Sequence, residues 1–316
     1  MRRGPFDWLR ARLNWEVGLY ALLIAVAALL RFWDLGGRAI HHDESLYAYY
    51  SWLYLTSGTY HHDPMMHGPF FFHVTPLVYL VLGASDYTVR ILPALFGTAL
   101  VGMPFFLRPW LGRWGSLAAA AMLALSPSLL YFSRFARNDI FCAVWTLGLV
   151  ICLWRYLSGR RPCYLYLGAA FLSLGFCTKE TTYIAVAVLG SFLLIVSGRE
   201  LLKRLWGGVR LRHPSPHLDF LLLIGTLTLP LLAAGVTIPL GWLGLAGLGG
   251  SPILGATTAI ALFAIAILVG WRWGWRRWVV CALIFYGIFA LLYTSLFTNP
   301  AGFASGLWGS LDYWIK

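Results

Sequence analysis

Apolar runs of roughly 16–20 residues recur nine times along this chain. An α-helix needs about 20 such residues to cross ~30 Å of hydrocarbon. The runs predict spans near 15–33, 89–107, 115–132, 140–157, 163–178, 181–197, 219–239, 253–270 and 278–297. Backbone in lipid must satisfy its own N–H and C=O groups, so runs of this kind are helical. The expectation is an all-α polytopic membrane protein with about nine transmembrane helices. With 59% hydrophobic and 11% charged residues, the chain is far from the ~25% charge of soluble domains.

The charged residues that remain are sorted by side. Arg2, Arg3, Arg10 and Arg12, then Arg108 and Arg113, then Arg155, Arg160 and Arg161 fall in alternate loops. So do Arg199, Lys203, Arg204, Arg210 and Arg212, and finally Arg272, Arg276 and Arg277. These seventeen of the 24 Lys and Arg mark the cytoplasmic side, with the N-terminus on it. The expected location is the cytoplasmic membrane, multi-pass, with a retained N-terminal anchor, because the first apolar run lacks a small-residue cleavage site. A net charge of +12 spread over short loops fits anionic lipid. Nucleic acid would require one accessible basic face. The five cysteines lack CxxC spacing, so no disulfide framework or thiolate metal site is indicated.

Arg31, Arg38, Arg90, Arg134, Arg137, Lys179 and Lys316 map to the outer side, where basic residues are disfavoured. There they accompany three polar clusters. The first is His41-His42-Asp43-Glu44, with a second His-His-Asp at His61, His62 and Asp63, followed by His67. The second is Ser133-Arg134-Phe135-Ala136-Arg137-Asn138-Asp139, and the third is Thr178-Lys179-Glu180-Thr181. The outer loop holding the first cluster, about 34–88, predicts two interfacial helices, over 44–56 and 69–83. Counting the second as a span would invert every later loop and place the arginine clusters outside.

The order of these elements resembles a known family. An acidic pair after the first span is followed by a basic-Pro motif, here His67-Gly68-Pro69, opening an interfacial helix. Then come Gly83-Ala84-Ser85-Asp86-Tyr87-Thr88-Val89-Arg90-Ile91-Leu92-Pro93, Ser126-Pro127, and Ser133-Arg134 leading to Asn138-Asp139. From about 38 to 182 the chain is similar to the N-terminal module of GT-C membrane glycosyltransferases of the protein O-mannosyltransferase and aminoarabinose-transferase type. It is nearest to a prokaryotic branch described as flippase-activity-associated. The resemblance implies a GT-C-like transmembrane module over 1–300 and an extracytoplasmic tail over 301–316. Members usually continue with further spans and a soluble domain, so the resemblance leaves three readings open: a truncated product, a split protein with a separate subunit supplying that half as a partner, or a minimal catalytic module.

The resemblance also implies the chemistry: a sugar moves from a polyprenyl-phosphate lipid to a protein, lipid or glycan acceptor on the outer face. Phosphate leaves without a general acid, so the site needs cations to hold it and a carboxylate to take the acceptor proton. Asp43 is the candidate base, with Asp139 and Glu44 as further candidate catalytic carboxylates. Arg137 and Lys179 are the candidate donor-phosphate cations, assisted by Arg90, Arg134 and His67. Plainer readings compete. Asp43 could cap a helix beginning at Glu44, Asp139 could cap the fourth span, and Lys179 could pair with Glu180. Arg90 and Arg134 could anchor their helices at the headgroups.

The repeated His-His-Asp also suggests a divalent metal, Zn²⁺ or Mn²⁺, held by His41, His42, His61, His62 and Asp63. Adjacent histidines diverge on helix or strand, which works against such a site. A second functional class is a non-catalytic component that binds, or helps translocate, lipid-linked sugars. A plain transporter would need charges within several spans, whereas this chain keeps them at span ends.

Overall fold

The computed structural model describes residues 15–206, 214–236 and 252–315. Arg2, Arg3, Arg10, Arg12, Arg210, Arg212 and Lys316 lie outside the described residues, as do residues 241–251 of the Gly-rich stretch 241–256, which by composition is expected to form a flexible outer loop. The elements, in order, are α1 Trp15–Phe32, α2 His42–Ser57, α3 Phe70–Leu82, α4 Thr88–Gly102 and α5 Arg108–Leu125. There follow α6 Pro127–Ser133, α7 Asp139–Gly159, α8 Cys163–Phe176, α9 Thr181–Trp206, α10 Pro216–Thr228 and α11 Pro252–Tyr293. Two short helices, α12 Ala301–Ala304 and α13 Ser310–Ile315, close the chain. No strand occurs among the described residues.

Among the described residues, six helical stretches are long and apolar enough to cross a membrane: Trp15–Phe32, Thr88–Leu125, Asp139–Gly159, Thr181–Arg204, Pro216–Val236 and Ile253–Tyr293. The chain is a multi-pass helical membrane protein. Two of the six are interrupted by glycine, at Gly112 with φ 69° and at Gly274. Cys163–Phe176 is apolar but shorter. The expected span 115–132 is broken, because Pro127 forces Ser126 out of helical backbone to ψ 121°. Both expected interfacial segments are helical, as α2 and α3, and residues 252–256 of the expected Gly-rich loop open α11.

The chain divides into two compact units, residues 1–55 with 75–147 and residues 56–74 with 148–316. In the first, α1 packs on α4 and α5 around Tyr20, Ala27, Val101, Leu117, Ala120 and Ala124. Small residues let these helices approach closely, which is how helices associate in lipid. Glu16, 2% exposed, pairs with Arg108 at 2.6 Å and Arg113 at 3.7 Å at one end of this unit. At the other end of α1, Arg31 is fully buried. Its guanidinium donates to Ser133 Oγ at 3.1 Å and to the carbonyls of Leu123 and Ala124 at 3.0 and 3.3 Å.

In the second unit α11 packs on α8 and α10, and α9 packs on α10. Sequence reasoning passed over Asp219, a buried acid beside the α10 N-terminus. It accepts from Tyr156 Oη at 2.7 Å, Trp273 Nε1 at 2.6 Å and Arg277 Nη1 at 3.2 Å, and pairs with Arg160 at 3.4 Å. A lone acid following the Ser215-Pro216 helix start, amid basic loops, was the available signal. Residues 301–315, expected as a tail, fold back within this unit, where Trp314 Nε1 donates to Pro64 O at 3.0 Å.

Candidate functional site

In the first unit α2 begins at His42, and His41 caps it. The Asp43 amide donates to His41 Nδ1 at 3.1 Å, and the His41 amide donates to Glu44 Oε2 at 3.1 Å. These reciprocal bonds form a capping box with imidazole as the capping acceptor. Asp43 therefore does not cap α2. It lies in the first turn with its side chain 37% exposed, while Glu44, about 100° round the helix, is fully buried.

The Glu44 carboxylate is filled with donors. Oε1 accepts from Arg90 Nε at 2.8 Å and the Ala136 amide at 2.9 Å. Oε2 accepts from Arg90 Nη2 at 2.8 Å, Arg38 Nη2 at 2.9 Å and His41 N. Burial pushes this carboxyl up, but the bonds from Arg90, Ala136 and His41 outweigh it and hold the group below the ordinary carboxylate value. Arg90 spends its remaining donors on the carbonyls of Leu35, Arg38 and Ala39. Arg134 caps the end of α1 through the carbonyls of Leu30, Trp33 and Asp34. Glu44 and Arg90 are thus engaged in a network that ties α2 to the 134–138 turn, and Arg134 is engaged with the backbone.

That turn presents Arg137 to Asp43, with Nη1 2.9 Å from Oδ2, and Asp139 follows on its other side at 4.0 Å. All three side chains are between 29% and 37% exposed. Asp139 opens α7 one residue after Asn138, which holds the capping position. Asn138 is 1% exposed and donates to Tyr47 Oη at 3.1 Å, and its Oδ1 has no partner among the described residues. The result is a cation between two accessible carboxylates, on a base of buried ion pairs.

In the second unit the His67-Gly68-Pro69 loop docks on the turn between α8 and α9. Gly68 N donates to Thr178 O at 3.1 Å and Phe70 N to Cys177 O at 2.8 Å. His67, at φ 63°, donates from Nδ1 to Glu180 Oε2 at 2.7 Å and stacks on Trp314, ring centroids 4.8 Å apart. Thus Glu180, read from sequence as a partner for Lys179, is engaged by His67. A Cβ at Gly68 would collide with the Cys177 carbonyl. Gly68→Ala is expected to destabilise the fold by about 1–3 kcal/mol, read as a lowered unfolding temperature in nanodiscs.

His62, 8% exposed, uses both ring nitrogens: Nε2 donates to His67 O at 3.0 Å and Nδ1 accepts from Ser305 Oγ at 2.8 Å. Burial lowers its pKa from 6.5 to about 4. The unfolded chain therefore binds the extra proton first, and the stability His62 contributes is full above pH 6.5 and lost as pH falls toward 4. Thermal unfolding of the wild type is expected to weaken over that window by up to about 1.4 kcal/mol per pH unit. The slope should be flatter in His62→Gln.

Of the five residues suggested for a metal, three make other bonds. Asp63 Oδ1 caps a 3₁₀ turn through the Met65 amide at 2.9 Å, and His41 caps α2, as does His62 the loop described above. His42 and His61 are exposed. Among the described residues, no three His, Cys, Asp or Glu side chains gather as a metal would require.

Comparison with known proteins gives one family. The model of the dolichyl-phosphate-mannose-protein mannosyltransferase family matches residues 66–233, more than half of the chain. The match takes in His67, Arg90, Arg134, Arg137, Asp139 and Lys179 and begins after His41-His42-Asp43-Glu44. No curated protein and no solved structure matches the chain significantly. The chain belongs to the dolichyl-phosphate-mannose-protein mannosyltransferase family.

Proposed function

We propose that the chain is a membrane glycosyltransferase that moves a sugar from a polyprenyl-phosphate carrier to an acceptor hydroxyl on the extracytoplasmic face. The observation that carries this reading is the accessible Asp43–Arg137–Asp139 group at the end of the first unit opposite Arg108 and Arg113. Asp43 takes the proton from the attacking hydroxyl as its oxygen bonds the sugar's anomeric carbon. The bond from that carbon to the phosphate oxygen breaks, and the electron pair leaves on the phosphate.

Arg137 meets the growing charge on the phosphate, and Lys179 is the second candidate cation. Preorganised cations of this kind act where charge develops. Asp139 holds Arg137 when a phosphate competes with Asp43 for it. Glu44 and Arg90 serve as positioning residues. Membership of a mannosyltransferase family supports mannose as the first donor to test.

The same reading sets the topology. Dividing Thr88–Leu125 and Ile253–Tyr293 at their glycines and counting Cys163–Phe176 gives nine crossings, with the N-terminus cytoplasmic. The test is transfer of radiolabelled mannose from a polyprenyl-phosphate donor by purified protein in liposomes, with lipid, glycan and protein acceptors. Sugar transfer supports the reading. Binding of the carrier without turnover on any acceptor would replace it with the carrier-handling role.

A further inference from the structure

A cleft of about 280 Å³ lies in the first unit on another face of α2 from the one that carries Asp43. Its α2 wall comprises Ser45, Ala48, Tyr49 and Trp52, spaced for one helical face. They lie roughly half a turn round the helix from Asp43. Tyr79 of α3, with Ser85 and Asp86 of the loop that follows, completes the walls. Tyr49 and Trp52 are 53% and 44% exposed, with rings tilted by 34° and centroids 6.2 Å apart. They form a broad aromatic platform. Tyr79 is 4% exposed, and Asp86 is exposed.

We infer that this cleft binds a neutral saccharide ring. Aromatic faces carry partial negative charge, which suits the polarised C–H groups on the flat side of a pyranose. A carboxylate accepts from two adjacent hydroxyls at once, and Asp86 lines the same cleft as the platform. No Lys, Arg or His lines the cleft, so a phosphate has nothing to meet. The volume suits a sugar ring and exceeds what a lone ammonium group fills. Tyr49 and Trp52 by themselves would pass for the aromatic belt of an interfacial helix. A carboxylate lining the same cleft as those rings is what makes the place a site.

The saccharide held here is separate from the bond made at Asp43, and its binding is measurable without any donor. It goes beyond the proposed transfer reaction and stands or falls independently of it. The experiment is saturation-transfer difference NMR on the full chain in nanodiscs free of sugar detergents, with methyl α-mannoside and a short mannose oligomer as probes and choline as the competing cation.

The expected result is glycoside binding that weakens about 5- to 10-fold in Trp52→Ala and comparably in Asp86→Asn. Tyr49→Ala, also at an exposed position, serves as a second platform variant, with circular dichroism to show that each remains folded. Three results would overturn the inference: no saturation transfer from either glycoside, glycoside binding unchanged in the folded variants, or choline binding that depends on Asp86 while glycosides fail to bind.

Discussion

Glu44→Ala is expected to cost about 3–5 kcal/mol of stability, enough to lose most of the folded protein. The loss follows from what stays behind. Arg90 is fully buried, and with Glu44 gone its charge has only backbone carbonyls as partners. The Ala136 amide and one edge of Arg38 lose their acceptor as well. Because the folded state holds the Glu44 carboxyl below its ordinary value near 4.5, its contribution is complete above that pH and is lost as pH falls below it. Glu44→Gln keeps the shape but not the charge and should fall between wild type and alanine. The double change Glu44→Leu, Arg90→Leu should be milder than Glu44→Ala alone, since neither charge is then stranded. Unfolding temperature and the yield of monodisperse protein in nanodiscs measure all three.

The neighbouring acid should behave in the opposite way. Asp43→Asn is expected to lower sugar transfer by ~10²–10⁴, the usual worth of a general base, while leaving the fold nearly untouched. Asp43 is over a third exposed, and its pair with Arg137 lies at the surface, where such pairs contribute about 0–1 kcal/mol. One residue of sequence separates a substitution that unfolds the protein from one that silences it. The physical cause is the helical register: at 100° per residue, α2 turns Glu44 into the unit and leaves Asp43 at its surface. Arg137→Ala should act with Asp43→Asn rather than with Glu44→Ala, because it touches the accessible pair and spares the buried one.

Much of this molecule was legible from residue order alone. Apolar runs located the six long apolar helices among the described residues, and the alternating aromatics of 44–56 and Pro69 opening 69–83 marked those segments as helices. What could not be read was which member of an acidic pair faces inward. That depends on where α2 starts, and a helix capped by the imidazole of His41 carries no usual cap signature. Placing the cap at Asp43 hid the capping box, whose third-position acid is Glu44 itself. Arg90 and Arg134 looked like free outer-side cations because their carbonyl partners are distant in sequence or lie at the end of another helix. The break at Ser126 was implicit in Pro127 and obscured by the apolar run around it. The docking of His67-Gly68-Pro69 on Cys177 and Thr178 spans over a hundred residues, beyond any local pattern.

The base we propose for sugar transfer is an accessible Asp43 held beside Arg137 by a buried scaffold. Single-turnover transfer at saturating polyprenyl-phosphate donor, compared between wild type and a folded Asp43→Asn protein in the same liposomes, tests it most directly. The expected rate in the variant is at least ~10²-fold lower, with donor binding retained. Transfer by Asp43→Asn at the wild-type rate would contradict it.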